Sequence, residues 1–349
     1  QTLAVADEAA EHFVVVRAHI FEQDGLGRIL DGSRDPGQRH GLLADLEFAD
    51  ARELVDEGAQ AEFVVVEGHG VPLCSKTFVK TLTDFYHGYL RPFPNPAEVE
   101  SLRSLFEILS SNPSWDVEVA KDQSTGRVLG ACSGQVIKVP TSTGGEVGVA
   151  WNEHTWVDKE TRQSGLGKEL AANFKKRAAT AGAIGVVIET DNPYLIERND
   201  STDGFNHNDP AARKKYWTEV KGEAMDPFNR FTFWGKQGFG VVTAQNGVPA
   251  PYEQISLDLG NQESCKTLNL AFNPISEEYR DSLPKQLYMD LFRKLQESID
   301  PHAKYHPDFV RTMKQIDELP GDSLRFVSLN SDEARTVMAK GRPHKAKAE

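Results

Sequence analysis

Hydrophobic positions along the chain follow two periods, and most predicted elements come from which period holds. His12-Phe-Val-Val-Val-Arg17 and Glu62-Phe-Val-Val-Val-Glu67 are short apolar runs with polar ends, the pattern of buried strands. Their mutual likeness is too generic to establish a repeat. From Thr77 to Tyr89 the period is helical, with Phe78, Leu82 and Phe85 on one face. Pro92, Pro94 and Pro96 interrupt it, and Pro96 opens a second helix carrying Val99, Leu102, Leu105, Phe106 and Leu109 on one side. After Pro113 the period falls to two. Trp115 to Ala120 and Val128 to Val139 predict an antiparallel hairpin across the turn at Asp122–Gly126. Glu146 to Val157 alternates as a long strand, with Val147, Val149, Trp151, Glu153, Thr155 and Val157 on one face and His154 on the other.

A helix over 165–181 follows, with Leu166, Leu170, Phe174 and Ala178 at four-residue intervals and Gly182 as its stop. Ile184 to Ile188 is a continuous apolar strand of the kind covered on both faces. Residues 193–225 are polar and rich in Asn, Asp and Tyr, an insertion long enough to act as a lid. Phe228 to Trp234 is a short helix; Gly238 to Val242, Gln254 to Leu259 and Thr267 to Phe272 are strands. From Pro284 the pattern is helical, with Leu287, Leu291, Phe292 and Leu295 forming a stripe, and Lys340 to Glu349 is a basic tail expected to be disordered.

Composition narrows the classes. The 349 residues contain 39 Lys and Arg against 52 Asp and Glu, a net charge of −13. That balance argues against a polyanionic partner such as nucleic acid and is compatible with a cationic substrate. Cys74, Cys132 and Cys265 are odd in number, far apart and form no CxxC, so neither a disulfide framework nor a zinc cage is expected. His302 and His306 have i,i+4 spacing, but prolines bracket them and no third ligand stands out, so no metal is expected. The first residues lack a basic region followed by an apolar run, and no apolar stretch approaches membrane-spanning length. The expectation is a soluble cytoplasmic protein without a membrane partner.

The chemistry concentrates at Arg162-Gln-Ser-Gly-Leu-Gly167, between a strand and an amphipathic helix. A helix N-terminus leaves outward-pointing N–H groups and roughly +0.5 charge. Gly165 and Gly167 admit a ligand to the backbone, and Arg162 and Lys168 add full charges. The result is an anion cradle suited to a pyrophosphate. The spacing is neither that of a P-loop nor that of a dinucleotide fingerprint.

This stretch resembles the R/Q-x-x-G-x-G/A motif of the GNAT superfamily of acyl-CoA N-acetyltransferases. The surrounding order agrees: hairpin 115–139, strand 146–157, helix 165–181, strand 184–190. Phe233-Trp234-Gly-Lys-Gln-Gly238-Phe239 is similar to the family's later Gly-Phe segment. The resemblance spans roughly 115–260 and implies an α/β (α+β) fold: a central mixed, mostly antiparallel sheet with helices on both faces. It divides the chain into an N-terminal extension (1–58), the GNAT-like domain (59–275, with the insertion 193–225) and a helical C-terminal extension with its tail (276–349).

For the site, the resemblance implies that the amides of Gln163, Ser164, Gly165, Leu166, Gly167 and Lys168 bind the pyrophosphate of acetyl-CoA, beside Arg162. It implies that Trp156 and Val157 pair with the pantetheine, and that Asn229 and Trp234 flank its thiol end. Direct attack of an amine on the thioester needs a base, because an amine in water is mostly protonated near neutrality. Glu153 is the first candidate and His154 the second; strand alternation allows only one of them to face the cleft. Many members carry a Tyr where this chain has Trp234, and indole is no acid. The thiolate's proton then comes from another residue, with Tyr252 and Tyr216 as candidates, or from solvent, or activity is lost; Tyr216 also lies in the insertion that would cover an acceptor. Glu189 and Asp191, at a strand end, supply negative charge for a cationic acceptor. The expected activity is therefore acetyl transfer to a primary amine of a small cationic metabolite or antibiotic. The alternatives are an acyl-CoA-binding sensor without catalysis, motivated by Trp234, and an acyltransferase for a longer acyl group or an oxygen acceptor.

Overall fold

Among the described residues, a ten-stranded sheet runs in the order β1-β2-β3-β4-β5-β6-β8-β7-β10-β9. The structure is a computed structural model that describes residues 13–15, 61–67, 76–89, 101–112, 114–194, 227–255 and 264–340. Its strands are β1 (Phe13–Val15), β2 (Ala61–Glu67), β3 (Trp115–Asp122), β4 (Val128–Pro140), β5 (Glu146–Val157), β6 (Ala183–Asp191), β7 (Gly240–Ala244), β8 (Leu268–Pro274), β9 (Ser282–Pro284) and β10 (Ser323–Ser328). Pairing is antiparallel except at β1·β2 and β5·β6. The predicted hairpin is the β3·β4 pair, and Phe13–Val15 of the first apolar run lies beside Phe63–Val65 of the second, as β1 and β2.

Helices cover both faces. On the front lie α1 (Lys76–Tyr89), α2 (Leu102–Ser111), α5 (Lys285–Ile299) and α6 (Pro307–Asp317). On the back lie α3 (Leu166–Thr180), α4 (Pro227–Lys236) and α7 (Asp332–Lys340). Strand β4 shows why the faces separate cleanly. Ala131, Ile137 and Val139 go to the front cores, whereas Cys132 and Val136 go to the back. On α3, Leu166, Leu170, Phe174 and Ala178 form the buried stripe expected from their spacing. Burying each of the large ones is worth roughly 1.5–3 kcal/mol.

Two expectations change. The segment after 276 is not simply a helical extension: β9 and β10 belong to the sheet, and β10 pairs with β7 along Leu324↔Ala244 to Ser328↔Gly240. α5 also closes the front of β4 and β5, packing Leu287, Leu291, Phe292 and Leu295 into the core that holds Ile137, Val149 and Trp151. The strand expected at 254–259 is only an isolated bridge, Gln254↔Cys265, within the described residues. The first turns of the second helix, most of the insertion 193–225 and the basic tail lie outside the described residues. No described helix is long and apolar enough to cross a membrane.

The strand that carries the candidate base is not regular. Ser133 pairs with His154, but the next residue, Gly134, pairs with Asn152, so Glu153 is the extra residue of a β-bulge. Gly134 is what permits it. A Cβ there would lie 2.2 Å from the Trp151 carbonyl oxygen and 2.7 Å from the Phe174 ring. The bulge resets the alternation. Trp151 packs in front, Thr155 reaches back to Cys132, Trp156 packs in front and Val157 packs behind. Glu153 and His154 therefore share the front face, and the expectations that they oppose one another and that Thr155 and Val157 lie with Trp151 are corrected.

Candidate active site

The parallel ladder between β5 and β6 contains Gly148↔Ala183, Ala150↔Val186 and Trp151↔Val187, and it ends there. Strand β5 runs on to Val157, held by β4, and β6 runs on to Asp191, held by β8. The sheet thus splits into an opening between residues 152–157 and 188–191. An opened parallel ladder presents backbone donors and acceptors that an extended ligand can pair with.

Behind this opening stands the turn that starts α3. Gln163 has φ 73° and Gly165 φ 96°, two positive values that reverse the chain in one short turn. Leu166 N–H donates to Ser164 Oγ (3.3 Å), while the Lys168 and Glu169 N–H groups both donate to the Gly165 carbonyl. The N–H groups of Gly165 and Gly167 have no partner among the described residues. Gln163, Ser164, Gly165 and Lys168 are exposed, Gly167 is half-buried, and Leu166 turns inward as part of the core. Arg162 folds back, with Nε donating to the Val157 carbonyl (3.4 Å). Its partial burial lowers its pKa, and the Asp158 charge opposes that. Arg162 thus braces the turn against the end of β5.

The helix under this turn is anchored ionically. Arg177 donates to Asp116 (Nε, 2.9 Å) and Glu118 (Nη1, 2.6 Å), and Asn173 Nδ2 donates to the other Glu118 oxygen (2.8 Å). Burial raises the pKa of Glu118, and Arg177 is the chief opposing influence.

In front, the bulge presents a clamped carboxylate. Trp115 Nε1 donates to Glu153 Oε2 (2.6 Å) and Gln135 Nε2 to Oε1 (2.6 Å). Asn112 Nδ2 in turn donates to Gln135 Oε1 (2.7 Å). Ser133 Oγ lies 3.4 Å from His154 Nδ1. Trp115, Gln135, Asn112 and Ser133 were not singled out from the sequence. Ser133 and Gln135 gave a signal, as polar residues at inward positions of an alternating strand.

The other expected residues fall into three groups. Trp156 is buried against α1, where a Cβ on Gly88 would overlap its ring, so its contribution to a ligand is confined to backbone. Val157 ends β5 beside the turn. Asn229 is exposed on α4, and Trp234 stacks edge-on between Phe233 and Phe239 against the back core. Across the opening, Asp191 is ion-paired with Arg230 of α4 (2.8 Å), so its charge is matched inside the protein. Glu189 accepts a hydrogen bond from the Tyr252 hydroxyl. Tyr252 is fully buried, and burial with the adjacent Glu189 charge pushes its phenol well above the usual value. Its proton is committed to Glu189, which disfavours its expected role as proton donor to the thiolate. Tyr216 lies outside the described residues. His306 acts as the N-cap of α6, its Nδ1 accepting from the Asp308 N–H (3.2 Å).

Residues 82–197 match the model of the acetyltransferase (GNAT) family. That segment, which contains the turn, the bulge and the split ladder, is a GNAT acetyltransferase domain. No curated protein matches the chain. Among solved structures, it is similar to an aminoglycoside acetyltransferase, meta-AAC0020 from an uncultured soil metagenomic sample, in complex with sisomicin. Identity there is 15%, over 42% of this chain and 90% of that one, with a TM-score of 0.30. It is also similar to the aminoglycoside N-acetyltransferase AAC(6')-Iy in complex with CoA (16%, 42% and 87%, TM-score 0.32). A third is the ribosomal-protein-S18-alanine N-acetyltransferase from Escherichia coli (13%, 61% and 94%, TM-score 0.34). Likeness at this level assigns no substrate.

Proposed function

We propose that the chain is an acetyl-CoA-dependent N-acetyltransferase acting on a primary amine of a small, cationic metabolite or antibiotic. The observation that carries this reading is the split ladder beyond Trp151↔Val187, with the positive-φ turn of Gln163 and Gly165 directly behind it. The N–H groups of Gly165 and Gly167 suit a diphosphate, because they add hydrogen bonds to the positive end of the α3 dipole. Acetyl-CoA supplies the activated acyl group. This chain's residues hold the carrier at the turn, expose the β5 edge to it and handle the acceptor's proton.

Glu153 is the base in this reading. Its two short hydrogen bonds fix the carboxylate in one orientation at the front of the opening, and a carboxylate oxygen has a further lone pair for the amine proton. His154, delivered to the same face by the bulge, is the alternative. The net charge of −13 and the acidic residues at the opening support a cationic acceptor. Titration calorimetry with coenzyme A and thiol release in the presence of an amine panel test the proposal. Binding with turnover on a primary amine supports it. Binding without turnover on any acceptor returns the chain to the sensor reading that Trp234 motivates, and turnover only with longer acyl-CoAs or alcohols points to the remaining alternative.

A further inference from the structure

Strand β6 leaves the ladder at Val187, and two residues later Glu189 is on the front face. Strand β5 leaves the same ladder at Trp151, and two residues later comes the front-facing Glu153. Each carboxylate thus comes two residues beyond the last ladder pair, one on each of the two strands that border the opening. Glu153 is clamped by residues of the GNAT segment. Glu189 is held from elsewhere: Tyr252 follows β7, and Gln296 sits on α5, well beyond residues 82–197.

The polarity of this second clamp is fully determined. Ile255 N–H donates to Gln296 Oε1 (2.9 Å), and a backbone N–H can only donate. The amide orientation of Gln296 is therefore fixed, and its Nε2 donates to the Tyr252 oxygen (3.2 Å). The Tyr252 hydroxyl hydrogen is then left for Glu189. All of Gln296 and Tyr252 is buried, with 0% exposure for each, while Glu189 is half-buried at the opening. A buried, one-directional chain costs polar desolvation at each member, and a surface carboxylate needs no such support. The arrangement makes sense when the carboxylate has to be held still for something outside the protein.

We propose that Glu189 binds a positively charged nitrogen of the acceptor, and that Tyr252 and Gln296 are positioning residues that hold its carboxylate toward the opening. This rests on the acetyltransferase reading and adds to it a specificity element within the family segment that is positioned by residues outside it. Tyr252 and Gln296 touch neither acceptor nor carrier; they act through Glu189.

The test is steady-state thiol release with 1,4-diaminobutane and sisomicin as acceptors, for the wild type, Glu189→Gln, Tyr252→Phe and the double variant. Glu189→Gln keeps the shape and the acceptor oxygen for Tyr252, so it removes charge with little disturbance of the fold. It should raise the acceptor KM roughly tenfold, the size of a charged hydrogen-bond contact, with kcat and the acetyl-CoA KM within about twofold. Tyr252→Phe should raise the acceptor KM severalfold in the wild type and leave it unchanged in the Glu189→Gln background, a coupling that a purely structural role would not produce. Wild-type turnover with an unaltered acceptor KM in Glu189→Gln overturns this inference alone. Absence of wild-type turnover on these two amines and on every other member of the amine panel overturns it together with the reading beneath it.

Discussion

Replacing Arg177 by methionine isolates what fixes the cradle helix to the sheet. Arg177 is the guanidinium between Asp116 and Glu118, and the Glu118 side chain is only 1% exposed. Methionine fills much of the stem volume but leaves Glu118 with Asn173 as its remaining side-chain donor among the described residues and Asp116 as a like-charged neighbour. Removing one partner of a buried pair costs about 3–5 kcal/mol. The Arg177 side chain is itself 21% exposed, so water reaches the gap and the lower end, about 3 kcal/mol, is expected. The pH dependence has a definite sign. Glu118 already titrates above its ordinary value of 4.5 through burial, and loss of Arg177 raises it further. A carboxylate whose folded value is raised binds its proton more tightly when folded, so the deficit is complete at high pH and shrinks as pH falls toward the unfolded value. Urea unfolding should therefore show a larger gap from wild type at about pH 8 than at about pH 5. Adding Glu118→Gln should recover part of the loss at the higher pH. An unfolding midpoint equal to wild type, or a gap that widens on acidification, would refute the reasoning.

Three further outcomes follow from the site. Gly134→Ala drives a methyl into the Trp151 carbonyl and the Phe174 ring, so it should cost about 1–3 kcal/mol in urea unfolding and lower turnover by misplacing the bulge; wild-type stability would mean the bulge tolerates a side chain. Gly165→Val meets no atom within 4 Å but must adopt φ 96°, a strain of about 1–3 kcal/mol that a β-branched residue relieves by moving the turn. Coenzyme A affinity by calorimetry should fall with only a modest change in melting temperature, and unchanged affinity would place the cradle elsewhere. Glu153→Gln should reduce kcat on the order of 100-fold or more with the acetyl-CoA dissociation constant unchanged, the size of a lost general base; full retention of rate would shift the base to His154.

Local signals exposed much of this molecule, and nonlocal ones hid the rest. The turn from Arg162 to Gly167 was legible because helix start, glycines and charges are adjacent in sequence. Strand β5 was legible as a strand, but its bulge was not, since alternation assumes an unbroken pleat. The available hint was Gly134 on the neighbouring strand, because a glycine inside a strand often marks a bulge or close approach. The clamps on Glu153 and Glu189 join residues 38, 18 and 63 positions apart, so no spacing pattern announces them. Strand β9 has three residues and β10 six, and both sit among helices whose stronger apolar stripe dominated the reading of that region.

The central claim is that the opened ladder receives a thioester carrier held by the amides that start α3. A crystal structure of the protein with acetyl-CoA tests it most directly. The account predicts diphosphate oxygens within hydrogen-bond distance of the Gly165 and Gly167 nitrogens and the acyl sulfur between residues 152–157 and 188–191. Density for the carrier in any other crevice would contradict it.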